Sequence, residues 1–222
     1  MTTLLVQNKK MKDSSIDGLK VFNFGIPAFK SKSGLMTCPM AGVCASGCYA
    51  KSGAYLFSNV AKAYEARLKA TQRKDFKLVM IAEIQKLLKK RGLKKLVIRI
   101  HDSGDFYSQE YLADWLNIMA VFPTVQFYAY TKMIHYFKQG NSIRLLPQNF
   151  KVIFSLGGKL DSQVNQENDR HSRVFESEEA LLQAGYVNAS HDDMLAIGEN
   201  KKIGLIFHHA KKFENTAWSK VA

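Results

Sequence analysis

Short runs of β-branched and aromatic residues alternate along this chain with stretches of helical periodicity. The apolar runs are Val21 to Phe24, Lys94 to His101, Val125 to Tyr130, Lys151 to Leu156, Tyr186 to Ala189 and Ile203 to Phe207. Between them, 58–73 places Val60, Ala61, Tyr64 and Leu68 on one helical face. A second helix from Asp75 to about Lys90 carries Phe76, Met80, Ile84 and Leu87 at helical spacing and ends at Gly92. A third runs from Ser108 to about Val121, with a stripe of Tyr111, Leu112, Trp115, Leu116 and Met119. Shorter helices follow from about Ile134 and over Glu176 to Ala184, and 159–173 reads as a polar connection. Strands separated by helices must cross over and pair in parallel. The expected fold is therefore α/β, a single domain over 1–222. It is a partial (β/α) barrel or an open parallel sheet of about five to six strands, whose last strand can close against the first.

In such folds, sites gather where strands end at their carboxyl side. Four polar groups fall there: His101 to Asp105, Tyr130-Thr131-Lys132, Ser155 to Gly158, and His208-His209. A cysteine-rich loop, about 36–53, follows the first strand at the same end. It holds all three cysteines of the 222 residues, Cys38, Cys44 and Cys48, at spacing C-x5-C-x3-C with Ala41, Gly42, Ala45, Ser46 and Gly47 between them. The loop and the polar strand ends should face one another.

An odd number of clustered thiols does not make a disulfide framework. Three thiolates can hold three irons of a [4Fe–4S] cluster, with small residues letting backbone N–H groups approach the sulfides. They can hold zinc with a histidine as fourth ligand, or form a metal-free thiol set. One triplet with no second ligand pair favours the cluster. A histidine can complete it: His209 first, His208 second and His101 third, each ending an expected strand. His135, His171 and His191 fall in helix or loop stretches and read as surface residues. Asp102, Asp105 and Lys132 can support the site as acid–base or orienting groups, or form an ion pair that locks the barrel mouth. Tyr107, Tyr128, Tyr130 and Trp115 can stack on bases, but their spacing favours the core.

Thirty-two Lys and Arg against 19 Asp and Glu give a net charge of +13. This charge admits nucleic acid among the partners. The basic residues are dispersed in small clusters rather than gathered in an arm. No apolar run reaches the length of a membrane span. The start, with Lys9, Lys10 and Lys12 behind a short Leu4-Leu5-Val6 stretch, is not a secretory signal. Cytoplasmic residence with reduced thiols is expected.

The placement of a three-cysteine loop after the first strand of a partial barrel resembles radical S-adenosylmethionine enzymes. Those typically have C-x3-C-x2-C with an aromatic before the last cysteine. Here Tyr49 follows Cys48, and Gly157-Gly158 is followed by Lys159 rather than an acid. These departures argue against adenosylmethionine as a cofactor. A closer resemblance is to a gene product eighty-eight-like family of phage-encoded proteins. It is carried by CPMAGVCASGCYAKSG at Cys38 to Gly53, IRIHDSGDF at Ile98 to Phe106, YLADW at Tyr111 to Trp115 and FYAYTK at Phe127 to Lys132. The resemblance implies an iron–sulfur protein of a bacterial virus, in the host cytoplasm, with a barrel-like core. It supplies no reaction. A fully ligated cluster would suit electron transfer or regulation with a redox or host protein partner. An open iron would suit a radical enzyme. A zinc-stabilised nucleic-acid-binding module is the third alternative.

Overall fold

The computed structural model describes residues 3–139 and 146–207. Seven strands form one sheet: β1 (Leu19–Phe24), β2 (Lys95–Ile100), β3 (Gln126–Thr131), β4 (Phe150–Ser155), β5 (His171–Phe175), β6 (Val187–Asn188) and β7 (Lys202–Ile206). The order is β1-β2-β3-β4-β5-β7-β6, and every neighbouring pair is parallel. The sheet is open and strongly curled, a half-barrel. β7 pairs with β5 and β6 rather than with β1, so the expected closure of last strand on first does not occur. The free edge of β1 is capped instead by the N-terminal segment. Val6 and Asn23 exchange backbone hydrogen bonds of 2.9 and 2.7 Å in an antiparallel bridge, which satisfies edge groups.

The helices are α1 (Lys9–Asp13), α2 (Ser58–Thr71), α3 (Phe76–Leu88), α4 (Gln109–Val121), α5 (Ile134–Lys138), α6 (Glu178–Gln183) and α7 (Asp193–Ile197). Strand residues alternate between two faces, as the pleat requires. One face sends Phe24, Ile98, Ile100, Phe127 and Ala129 into the main core with Met80, Ile84, Trp115 and Met119 of α3 and α4. The other sends Val21, Val97, Tyr128, Ile153 and Ile203 into a smaller core closed by Met11, Ala196 and Ile197 of α1 and α7. Trp115 and Tyr128 are fully buried, so neither is placed to stack on a base.

α4 begins as its sequence predicts: the Ser108 hydroxyl accepts from the Tyr111 amide at 3.2 Å. α3 does not. Asp75 stands at its N-cap but makes no capping hydrogen bond, and its carboxylate pairs with Arg73 instead. The polar connection expected over 159–173 gives way to β5, whose His171 and Ser172 are buried. His171 is therefore no surface residue: its Nε2 meets the Tyr186 hydroxyl at 2.8 Å and its Nδ1 the Asp169 carbonyl at 3.0 Å.

Candidate cysteine site and its surroundings

The cysteine loop leaves β1 through Gly25 and Pro27 and folds over the carboxyl ends of the strands. Its anchors are mostly backbone. The Thr37 carbonyl accepts from the Asp105 amide after β2 at 2.9 Å. The Gly157 carbonyl after β4 accepts from the amides of Gly42 and Cys44, both at 3.2 Å. The Lys159 amide donates to Met40 at 3.0 Å, and Ala41 bridges Gly158. The expected meeting of loop and strand ends thus occurs, through main chain.

The two glycines after β4 make this approach possible. Gly157 has φ +93, a backbone region that L side chains rarely adopt. A Cβ on Gly158 would lie 3.0 Å from the Met40 carbonyl oxygen. Both glycine amides donate to the Asp161 carboxylate, at 2.7 and 2.9 Å, which fixes the turn.

All three thiols are unpaired and partly buried. Cys38 Sγ accepts a hydrogen bond from the Phe29 amide at 3.4 Å, with Phe29 itself at φ +60. Burial pushes the Cys38 thiol up to about 12, with Asp105, Cys48 and Cys44 adding to the rise. Burial also raises Cys48, against an amide hydrogen bond from Ala50 and the nearby cations of Lys51 and Lys132. The three sulfurs therefore sit within electrostatic reach of one another, with backbone donors at Cys38 and Cys48 and two ammonium groups near Cys48. Among the described residues, no group of three or more His, Cys, Asp or Glu side chains is disposed to hold a single metal ion.

The histidines divide. His208 and His209 lie outside the described residues. His101 turns away from the strand-end site. Its φ of +66 breaks the strand's alternation and lays the ring among Phe24, Phe106 and Tyr111, where Nε2 meets the Tyr111 hydroxyl at 2.9 Å. Burial and then Arg99 push its pKa down to about 3, so it is neutral. His101 is a core residue here rather than a ligand.

Asp105 and Lys132 do not form the expected ion pair. The Asp105 carboxylate accepts from the Thr131 hydroxyl at 2.6 Å, the Lys132 amide at 2.8 Å and the Phe106 amide at 2.8 Å. The Lys132 ammonium instead donates to the Ser155 hydroxyl at 2.6 Å. Asp102 is buried and braces β1: its Oδ2 accepts from Asn23 at 2.7 Å, Tyr64 at 2.8 Å and Asn8 at 3.4 Å. The Tyr49 hydroxyl donates to the Asp102 carbonyl, tying the residue after Cys48 to the end of β2. Burial raises the pKa of both Asp102 and Asp105.

One ionic cluster was not foreseen. Asp193 at the start of α7 pairs with Lys10 at 2.7 Å and Arg99 at 2.9 Å and accepts from the Tyr128 hydroxyl at 2.7 Å. Burial opposes ionisation of Asp193, but Arg99 and Lys10 outweigh it and hold the carboxyl low. The signal was Arg99 itself, a cation inside the apolar run LVIRI.

Among the described residues, no helix is long and apolar enough to cross a membrane. No solved structure matches the chain. Two curated relatives do, over 54 residues: the Gene 88 protein of Mycobacterium phage L5 at 44% identity and that of Mycobacterium phage D29 at 43%. The match covers 24% of this chain and 22% of each relative's length, so the chain spans about a fifth of the curated relatives it matches. Residues 2–218 match the family described as Gene product 88, and the chain belongs to that family.

Proposed function

We propose that Cys38, Cys44 and Cys48 hold a [4Fe–4S] cluster and that the protein serves a redox or regulatory role through it. The observation that carries this reading is the grouping of three partly buried thiols, two of them under amide donors. As free thiols Cys38 and Cys48 are poor nucleophiles, because burial raises their pKa and favours the protonated form. A metal centre displaces those protons and stabilises the thiolates. Amide hydrogen bonds from Phe29 to Cys38 and from Ala50 to Cys48 suit sulfur that carries negative charge. Lys51 and Lys132 beside Cys48 offset the charge of a thiolate-bound cluster. A cluster spreads its thiolates over separate irons, so they need not converge on one point as zinc ligands must. When bound, the cluster supplies one-electron chemistry. The chain's own part is to hold the three sulfurs, donate amides to them and keep water back. His209 remains the proposed fourth ligand, with His208 second.

Anaerobic purification with iron, sulfide and zinc assays tests this reading. About four iron and four sulfide per chain are expected. A colourless chain with one zinc contradicts it.

A second reading concerns partners and rests on another surface. Lys86, Lys89, Lys90, Arg91, Lys94 and Lys95 are all exposed where α3 ends and β2 begins. No acid lies between Gln85 and His101. None of the six is in an ion pair among the described residues. Unpaired cations at this density suit a nucleic-acid phosphate backbone.

A further inference from the structure

A cavity of about 280 Å³ opens between the N-terminal segment, the edge of β1 and α2. It has room for about nine waters at ~30 Å³ each. Val60 and Ala63 of α2 give it apolar wall, Gln7 and Asn59 bring carboxamides to it, and Tyr64 and Arg67 line it beside them.

Arg67 is the anomaly. It is only 5% exposed, yet no carboxylate lies within ion-pair distance of it among the described residues. Its Nε reaches the Thr3 carbonyl at 3.4 Å, its guanidinium stacks 5.1 Å from the centre of the Tyr64 ring, and its Nη1 has no hydrogen-bond partner. A buried cation without a direct ion-pair partner is costly. Two acids lie in the neighbourhood, and neither is in an ion pair with Arg67. Glu83 accepts from the Leu4 and Leu5 amides at 2.7–3.0 Å. Asp102, which also borders the cavity, gives its Oδ2 to Asn23, Tyr64 and Asn8 and leaves its Oδ1 without a hydrogen-bond partner; burial raises its pKa against the charges of Arg99 and Arg67, which favours the neutral carboxyl beside a bound anion.

We infer that this cavity is a binding site for a small anion, a carboxylate or phosphate headgroup held by Arg67 with a short apolar body against Val60 and Ala63. An anionic headgroup supplies what the guanidinium lacks, a direct ion-pair partner and an acceptor for Nη1. The cavity volume admits a metabolite-sized molecule.

The test titrates the full chain with inorganic phosphate and, separately, with butanoate, by calorimetry at an ionic strength fixed with sodium chloride. Saturable binding of at least one probe is expected, and the arm that binds identifies the headgroup. Arg67→Gln should weaken it by about tenfold or more. Ala63→Leu, which fills the cavity and leaves Arg67 in place, should weaken it similarly and serves alone if the arginine variant does not fold. Iron and sulfide content should be the same in Ala63→Leu as in wild type, which separates this site from the cysteine loop. No saturable binding of either probe, or binding undiminished by the substitutions, overturns the inference.

Discussion

The Cys44 amide donates to the Gly157 carbonyl at 3.2 Å, which fastens the cysteine loop to the end of β4. The Gly42 amide shares that acceptor. A Cβ on Gly42 would lie 2.9 Å from the Gly157 oxygen and from the Gly158 carbonyl carbon, both backbone atoms that cannot step aside. Gly42→Ala should therefore lift the loop, cost about 1–3 kcal/mol and lower iron retention. Gly53→Ala is the control. Its φ of +57 costs about 1–2 kcal/mol, but a Cβ there meets nothing within 4 Å, so iron retention should persist. Thermal melts and iron assay on both variants decide it. Equal iron retention in the two would refute the docking role of Gly42.

The Asp193 carboxylate forms ion pairs with two cations, Lys10 and Arg99. Removing it by Asp193→Ala takes the ion-pair partner from both Arg99 and Lys10 and leaves the Tyr128 hydroxyl only the Met11 sulfur at 3.9 Å. A loss of about 3–5 kcal/mol is expected in urea unfolding. A loss below about 1 kcal/mol, the range of exposed pairs, would show that the cluster does not hold α7 to the sheet.

Neutral His101 gives the fold an acid-sensitive element. Its pKa is about 3 in the folded chain and near 6.5 when unfolded. As pH falls from about 6.5 towards 3, the unfolded chain takes up a proton that the folded chain refuses, so stability declines across that window. Asp102 and Asp105, whose pKa values are raised from 3.8, act in the opposite sense from about pH 4 upward, inside the same window. The comparison with His101→Asn isolates the histidine, because asparagine tolerates positive φ and does not titrate. Urea unfolding at about pH 7 and pH 5 should show a smaller stability loss in the variant. Identical pH dependence would contradict a neutral, buried His101.

If the basic surface at the end of α3 binds a phosphate backbone, affinity should fall steeply with salt. Six contacts imply a slope of about −5 in log affinity against log salt for duplex DNA. Replacing Lys89, Lys90 and Arg91 with Gln should reduce its magnitude by about 3. Absent binding, or a slope unmoved by the substitutions, removes this surface from consideration.

The alternation of strands and helices was legible because long amphipathic segments such as α4 carry their burial pattern in their spacing. β5 was not, because HSRVF has no apolar run: His171 is buried by partners distant in sequence, the Tyr186 hydroxyl and the Asp169 carbonyl. α1 and α7, five residues each, are too short for a helical period to emerge. The position of β7 between β5 and β6 is a tertiary choice that no local pattern encodes. At the site, the cysteine triplet and the strand-end glycines were legible from composition alone. His101 misled, because one left-handed φ sends a strand-end side chain into the core. Arg67 went unnoticed, since on a helical face a lone arginine looks like any solvated one.

The cysteine site itself is tested most directly by iron and acid-labile sulfide per chain after anaerobic reconstitution, in wild type and in Cys38→Ser, Cys44→Ser and Cys48→Ser. About four of each are expected in wild type, with a fall in every variant. A wild-type chain that takes up no iron or sulfide, or serine variants that match it, would contradict the cluster.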